Sequence, residues 1–155
     1  MELADILAKD SVIACAKPTC KRQLLQLAAD KAAELINADP HDIFTTLIER
    51  EQLGTTGLGE GIAIPHGKIE GLKAVTCLFI QLEHAVDFDA VDDKPVDLAF
   101  VLLAPKGAGA DHLKALSRIA RLVRSPGLAA SARTIKDAGQ LHQLLLDAQS
   151  QSNAA

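Results

Sequence analysis

VDLAFVLLA, residues 96–104, is the stretch that most restricts what this chain can fold into. It is almost uninterrupted apolar β-former with no polar alternation, the pattern of a strand covered on both faces rather than one that shows a face to water. A strand of that kind needs a layer above it and a layer below it. It is therefore expected at the centre of the sheet in a layered α/β domain.

The rest of the chain supplies the layers. An amphipathic turn near Leu3–Leu7 precedes an extended run over 12–14, and Thr19 reads as the N-cap of a helix reaching about Asn37. Asp39-Pro40 is a stronger start signal, a capping side chain followed by proline at the first helical position, and Gly54 ends that helix. TTGLGEG reads as a loop leading into a short strand over 61–64, and AVTCLFIQL predicts a longer strand over 74–82. Residues 83–95 read as a surface excursion. Asp111 reads as the cap of a helix whose buried stripe is Leu113, Leu116, Ile119, Ala120 and Val123. Ser125-Pro126-Gly127 breaks it, and a last helix runs from about Asp137 to Gln149, giving one domain over 1–150 and a tail over 151–155 expected to fray.

Composition removes several classes of function. The net charge is −4 and the signs are interspersed, so no basic stripe exists to displace counterions from nucleic acid. Aromatic residues are 3% of the chain, too few to form a platform for stacked bases. No segment has the ~20 apolar residues of a membrane span, and MELADILAKD lacks the basic start of a signal peptide, so membrane insertion is not expected and a cytoplasmic location is. Cys15, Cys20 and Cys77 form no C-x-x-C pair and read as buried free thiols.

The chemistry gathers around GEGIAIPHGK, residues 59–68. Ile62, Ala63 and Ile64 form a buried strand, Pro65 has no N–H for a ladder and should stop it, and His66 is then the first side chain past the stop. Gly67 beside it leaves bare backbone next to the ring. A histidine in such a place is either a satisfied core residue or a functional group, and the end of a strand favours the second. His112 lies in the first turn of a helix, where free N–H groups favour an anion, and Arg50 lies at the end of the preceding helix. Each alone is unremarkable. Two histidines, an arginine and a glycine-rich loop together meet the needs of a phosphoryl group held on nitrogen: a nucleophilic imidazole, a fixed positive charge and backbone donors. The loop lacks G-K-[ST] and is followed by a strand, so it is neither a Walker loop nor a dinucleotide fingerprint. No ligand spacing supports zinc, and no G-x-S-x-G context supports acyl transfer. His41, His84 and His142 read as ordinary surface residues.

REQLGTTGLGEGIAIPHGK, residues 50–68, resembles the phosphorylation-site segment of the enzyme IIA family of the bacterial phosphotransferase system, fructose/mannitol type (type-2 EIIA), and above all its nitrogen-regulatory branch. DHLKALSRIARL, residues 111–122, is similar to that family's second-histidine helix, so the likeness spans nearly the whole chain. It implies a mixed parallel and antiparallel sheet flanked by helices on both faces. It also implies that His66 accepts a phosphoryl group on Nε2, with His112 beside it and Arg50 neutralising the transferred charge; Thr55, Thr56, Gly59 and Gly67 would form the cradle, with no cofactor and no metal. The donor would be an HPr-like phosphocarrier, docking on an apolar rim for which Leu58, Ile69 and Leu72 are candidates. The phosphorylation state would regulate target proteins such as potassium transport proteins or sensor kinases. Two alternatives stay open: a sugar-specific IIA component passing phosphate to a IIB domain, and a binding-only module whose histidine is never phosphorylated. The end of the chain soon after its last helix favours the regulatory branch over a fused sugar component.

Overall fold

A computed structural model describes residues 2–154, with side chains through Gln151, so most of the tail expected to fray lies outside the described side chains and Ala155 outside the described residues altogether. β6 (Val96–Pro105) is the central strand, as its composition requires. On one side it pairs antiparallel with β5 (Thr76–Val86), which in turn pairs parallel with the edge strand β1 (Val12–Ala16). On the other side two short strands, β3 (Ile62–Ala63) and β4 (His66–Ile69), run parallel to β6 one after the other, and β2 (Gly57–Gly59) closes the second edge antiparallel to β3. The sheet is therefore mixed and six-stranded.

Successive side chains of β6 enter two separate cores, because neighbours on a strand point to opposite faces. Ala99, Val101 and Leu103 pack with α2 (Lys21–Ile36) and α3 (Pro40–Leu53). Leu98, Phe100, Leu102 and Ala104 pack with α1 (Leu3–Ile6), α4 (Ala110–Leu122), α5 (Leu128–Thr134) and α6 (Ala138–Ala154). Burying a Leu, Ile or Phe side chain is worth roughly 1.5–3 kcal/mol. Aliphatic residues supply most of that here, with Phe79 and Phe100 stacked at 4.8 Å where the two longest strands meet.

Several local expectations need correction. The strand at Ile62 does stop before Pro65, but the Pro65 carbonyl accepts the Leu102 N–H at 2.9 Å and pairing with β6 resumes at once, so His66 opens a new strand, β4, instead of a loop. A residue without an N–H fits at the break between two short strands, where no ladder donor is lost. Part of the expected loop is β2, and β5 continues to Val86, with Phe88 and Ala90 of the supposed surface excursion buried behind it. The cap of α2 is Cys20, whose sulfur accepts the Gln23 N–H, while the Thr19 hydroxyl donates to the Gln23 side chain. The cap of α4 is Gly109, at φ 46°, with Asp111 inside the first turn. Only Cys77 of the three thiols is buried; Cys15 is half-buried and Cys20 exposed.

The buried face of α4 differs from the expected one at its start. His112, Ala115, Ile119 and Leu122 are its buried residues, and Leu113 is exposed. Ile119 belongs to the expected stripe, and Leu116 and Val123 are partly buried against the same core, but the row starts at His112 instead of Leu113, a histidine that a count of apolar residues passes over.

Candidate functional site

The site lies where β4 begins. His66 is half-buried, and its Nδ1–H donates to the Ile64 carbonyl at 2.8 Å. A carbonyl can only accept, so this bond puts the proton on Nδ1 and leaves Nε2 with a lone pair. Arg50, in the last turn of α3, donates from Nε to that Nε2 at 3.2 Å, and its Nη1 donates to the Gly54 carbonyl at 2.9 Å. The guanidinium is thus braced against the loop that follows its own helix.

His112 comes from α4 on the opposite face of the sheet. The two rings meet edge to face with centroids 5.6 Å apart. Nε2 of His112 is buried and has no hydrogen-bond partner among the described residues, an arrangement that costs free energy unless another group completes it. Burial lowers the pKa of both histidines. For His66 the Arg50 charge lowers it further, while the Ile64 carbonyl and the Glu51 carboxylate oppose the shift. For His112 the charges of His66 and Lys68 add to the lowering. Both imidazoles are therefore neutral at pH 7, and neutral imidazole is the nucleophilic form.

His66, His112 and Arg50, far apart in the sequence, are brought together. The other four expected site residues have internal duties. The Thr55 hydroxyl donates to the Phe88 carbonyl at 3.0 Å, and the Thr56 hydroxyl donates to the Glu51 carboxylate. Asp92 closes the space over Gly59, where an added Cβ would lie 3.1 Å from its carboxylate. At Gly67 a Cβ would come within 2.6 Å of Thr46 Cγ2, so that glycine is what lets α3 lie against β4. Of the expected rim, Leu58 is exposed, but Ile69 is buried and Leu72 is half-buried. The exposed apolar side chains next to the site residues in sequence are instead Leu53 (85%) and Leu113 (67%).

Glu51 is a residue that the sequence reading missed. It is buried beside Arg50, its carboxylate paired with Lys21 Nζ at 2.9 Å across the α2–α3 interface. A glutamate in a charged run, IEREQL, reads as solvated; only the cation on another helix gives it away. No group of three or more His, Cys, Asp or Glu side chains suited to a metal ion occurs among the described residues, and no helix among them is long and apolar enough to cross a membrane.

Residues 5–148 match the family described as phosphoenolpyruvate-dependent sugar phosphotransferase system, EIIA 2. The chain is 46% identical over 145 residues to a nitrogen regulatory protein of Bradyrhizobium diazoefficiens, covering 94% of this chain and 95% of that one. Among solved structures, nitrogen regulatory protein IIA-Ntr from Neisseria meningitidis matches with a TM-score of 0.87 at 35% identity, over 92% of this chain and 98% of that one. The IIA mannitol structure from Escherichia coli has a TM-score of 0.74 at 20% identity over 89% and 96%, a likeness of fold.

Proposed function

Since the chain belongs to the type-2 EIIA family of the phosphoenolpyruvate-dependent sugar phosphotransferase system, we propose that it is a phosphohistidine carrier of a nitrogen-regulatory relay. It accepts a phosphoryl group on Nε2 of His66 from an HPr-like carrier in the cytosol, and its phosphorylation state regulates target proteins. The observation that carries this reading is the tautomer: Nδ1 is tied to the Ile64 carbonyl and Nε2 holds its lone pair against the Arg50 guanidinium.

In the transfer, Arg50 Nε–H gives up its bond to Nε2 and turns to the incoming phosphoryl oxygens, and the freed lone pair of Nε2 attacks phosphorus in line with the donor's P–N bond. A new P–Nε2 bond forms as the old one breaks, and the donor imidazole departs with the bonding pair. Nδ1 keeps its proton throughout. The positive charge that develops on the His66 ring is stabilised through Nδ1–H and the Ile64 carbonyl, and Arg50 neutralises the three equatorial oxygens. His112, whose ring meets that of His66 edge to face and whose Nε2 has no partner among the described residues, donates to one of those oxygens. Donor and acceptor are both imidazoles, so the step is reversible and catalysis reduces to positioning and charge. The added charge of about −1.5 to −2 is then the signal that target proteins read. The names of the most similar relatives support the regulatory branch over sugar transport.

The test is incubation with phosphoenolpyruvate, the first enzyme of the relay and its HPr-like carrier, followed by intact mass measurement. One acid-labile phosphoryl group is expected on the wild-type chain and none on His66→Ala. A wild-type chain that gains no mass contradicts the carrier reading and leaves a module that acts by binding alone.

A further inference from the structure

Glu51 has no part in the transfer just described, yet it is the only buried carboxylate among the described residues. Removing two charges from water for the Lys21–Glu51 pair costs several kcal/mol per ion, and apolar residues of the same volume commonly serve stability as well or better. Stability alone is therefore a weak account of its presence, and its hydrogen bonds supply a stronger one.

Glu51 Oε1 accepts the Thr56 N–H at 3.1 Å and Oε2 accepts the Thr56 hydroxyl, so one carboxylate grips both donors of one loop residue. From Thr56 the chain of contacts runs to the reacting atoms by two routes. The Thr56 carbonyl accepts the Ile64 N–H at 3.0 Å, and the Ile64 carbonyl accepts the Nδ1–H that orients His66. Two residues before Thr56, the Gly54 carbonyl accepts Arg50 Nη1, the bond that aims Arg50 Nε at His66 Nε2. Both partners of the 3.2 Å contact at the reacting nitrogen thus depend on the 54–56 segment that Glu51 holds. Lys21 completes the anchor. Its Nζ pairs with Oε1, reaches the Phe88 carbonyl at 3.4 Å and lies 4.5 Å from the Phe88 ring centroid.

We infer that Glu51 is a positioning residue for phosphoryl transfer: by anchoring Thr56 it fixes the Ile64 carbonyl that orients His66 and the Gly54 carbonyl that orients Arg50. The inference rests on the carrier reading. Its second consequence is electrostatic, since the Glu51 charge opposes the lowering of the His66 pKa. His66 faces Arg50 and Glu51 from α3 and His112 from α4, and Lys68 acts on His112.

The experiment measures single-turnover transfer from the phosphorylated HPr-like carrier to wild type, Glu51→Gln, Arg50→Ala and the double variant, with the imidazole titration of His66 followed by NMR in each. Glu51→Gln is expected to slow transfer about tenfold to a hundredfold, the scale of a small misplacement of reacting groups. In the Arg50→Ala background much of that penalty should vanish, because part of what Glu51 positions is gone. The His66 titration should move down in Glu51→Gln, whereas a purely packing role would leave it in place. Thr56→Val, which removes one of the two gripped donors, should slow transfer, and Thr56→Ser should restore it; this pair decides the matter if Glu51→Gln does not fold. Wild-type transfer rates in folded Glu51→Gln, fully additive penalties or an unmoved His66 titration would each overturn the inference. Failure of the carrier reading looks different, since the wild-type chain itself then takes up no phosphoryl group, and the NMR titration still decides whether Glu51 governs His66.

Discussion

Two buried polar networks interrupt the aliphatic core, and they differ in one respect. On the β1 side, Gln81 projects from the middle of β5; its Nε2 donates to the Ala132 and Ile135 carbonyls at 2.6 and 2.5 Å, and its Oε1 accepts the Cys15 N–H at 3.1 Å. That network is closed. It pins the end of α5 and the irregular backbone of β1, where Cys15 has a φ of 55° and the register shifts. Nearby, Arg133 is equally committed, donating to both Asp97 oxygens and to the Glu60 carbonyl. On the β4 side, the network that starts at Lys21 and Glu51 ends on His66 Nε2, which accepts from Arg50 Nε, and on a second histidine whose Nε2 has no partner among the described residues. Buried polar groups that satisfy one another serve the fold, whereas a network that leaves a polar atom unsatisfied keeps hydrogen-bonding capacity for a reactant.

The contrast can be broken most severely at Arg50. Arg50→Ala should slow phosphoryl transfer about a hundredfold to a thousandfold, the usual cost of removing one preorganised group that stabilises transferred charge. The same change should lower the urea unfolding free energy by only about 1–2 kcal/mol, since it removes two partly exposed hydrogen bonds, to His66 and to the Gly54 carbonyl. Next comes the closed network. Gln81→Leu orphans two carbonyls and one N–H, so it should lower stability by about 3 kcal/mol while leaving the transfer rate per folded molecule unchanged. If Gln81→Leu impaired transfer specifically, the division into closed and open networks would fail.

His112→Leu sharpens the distinction from the other direction. It removes an unpartnered buried nitrogen, so stability should hold or rise by up to about 1 kcal/mol. Transfer should fall about tenfold, the worth of one hydrogen bond of about 1.5 kcal/mol to a charged group. The smallest effect is on pH dependence. Both histidine pKa values are lowered in the folded protein, so near and below pH 6.5 the unfolded chain binds more protons than the folded one. Their contribution to stability is complete above the unfolded value of about 6.5 and is lost as pH falls from there through the folded values. Urea denaturation between pH 7.5 and 5.5 should show this decline, and His112→Leu should show a shallower one. For the same reason the transfer rate should stay level as pH falls through 6.5 and drop only below it.

What the sequence disclosed and what it hid follow from the range of the interactions involved. The central strand was legible because an unbroken apolar run has one stable setting, and Asp39-Pro40 marked α3 because capping is local. His66, His112 and Arg50 could be picked out by residue type and position. The buried face of α4 was misread because its first member is a histidine, and the cap of α2 because cysteine is an unusual acceptor. Glu51 was invisible, since a carboxylate in a charged helical segment looks solvated until Lys21 and Thr56 are seen to enclose it. Gly67 was read as open backbone beside the ring, but the side it leaves bare is filled by Thr46. For Glu51 and Gly67 the deciding partner lies on another element.

The central claim, that His66 receives the phosphoryl group on Nε2 while Nδ1 stays protonated on the Ile64 carbonyl, is tested most directly by NMR. The chain, labelled with ¹⁵N and phosphorylated through the relay, should show phosphorus coupled to Nε2 of His66 and a proton retained on Nδ1. Phosphorus on Nδ1, or on a residue other than His66, would contradict the account.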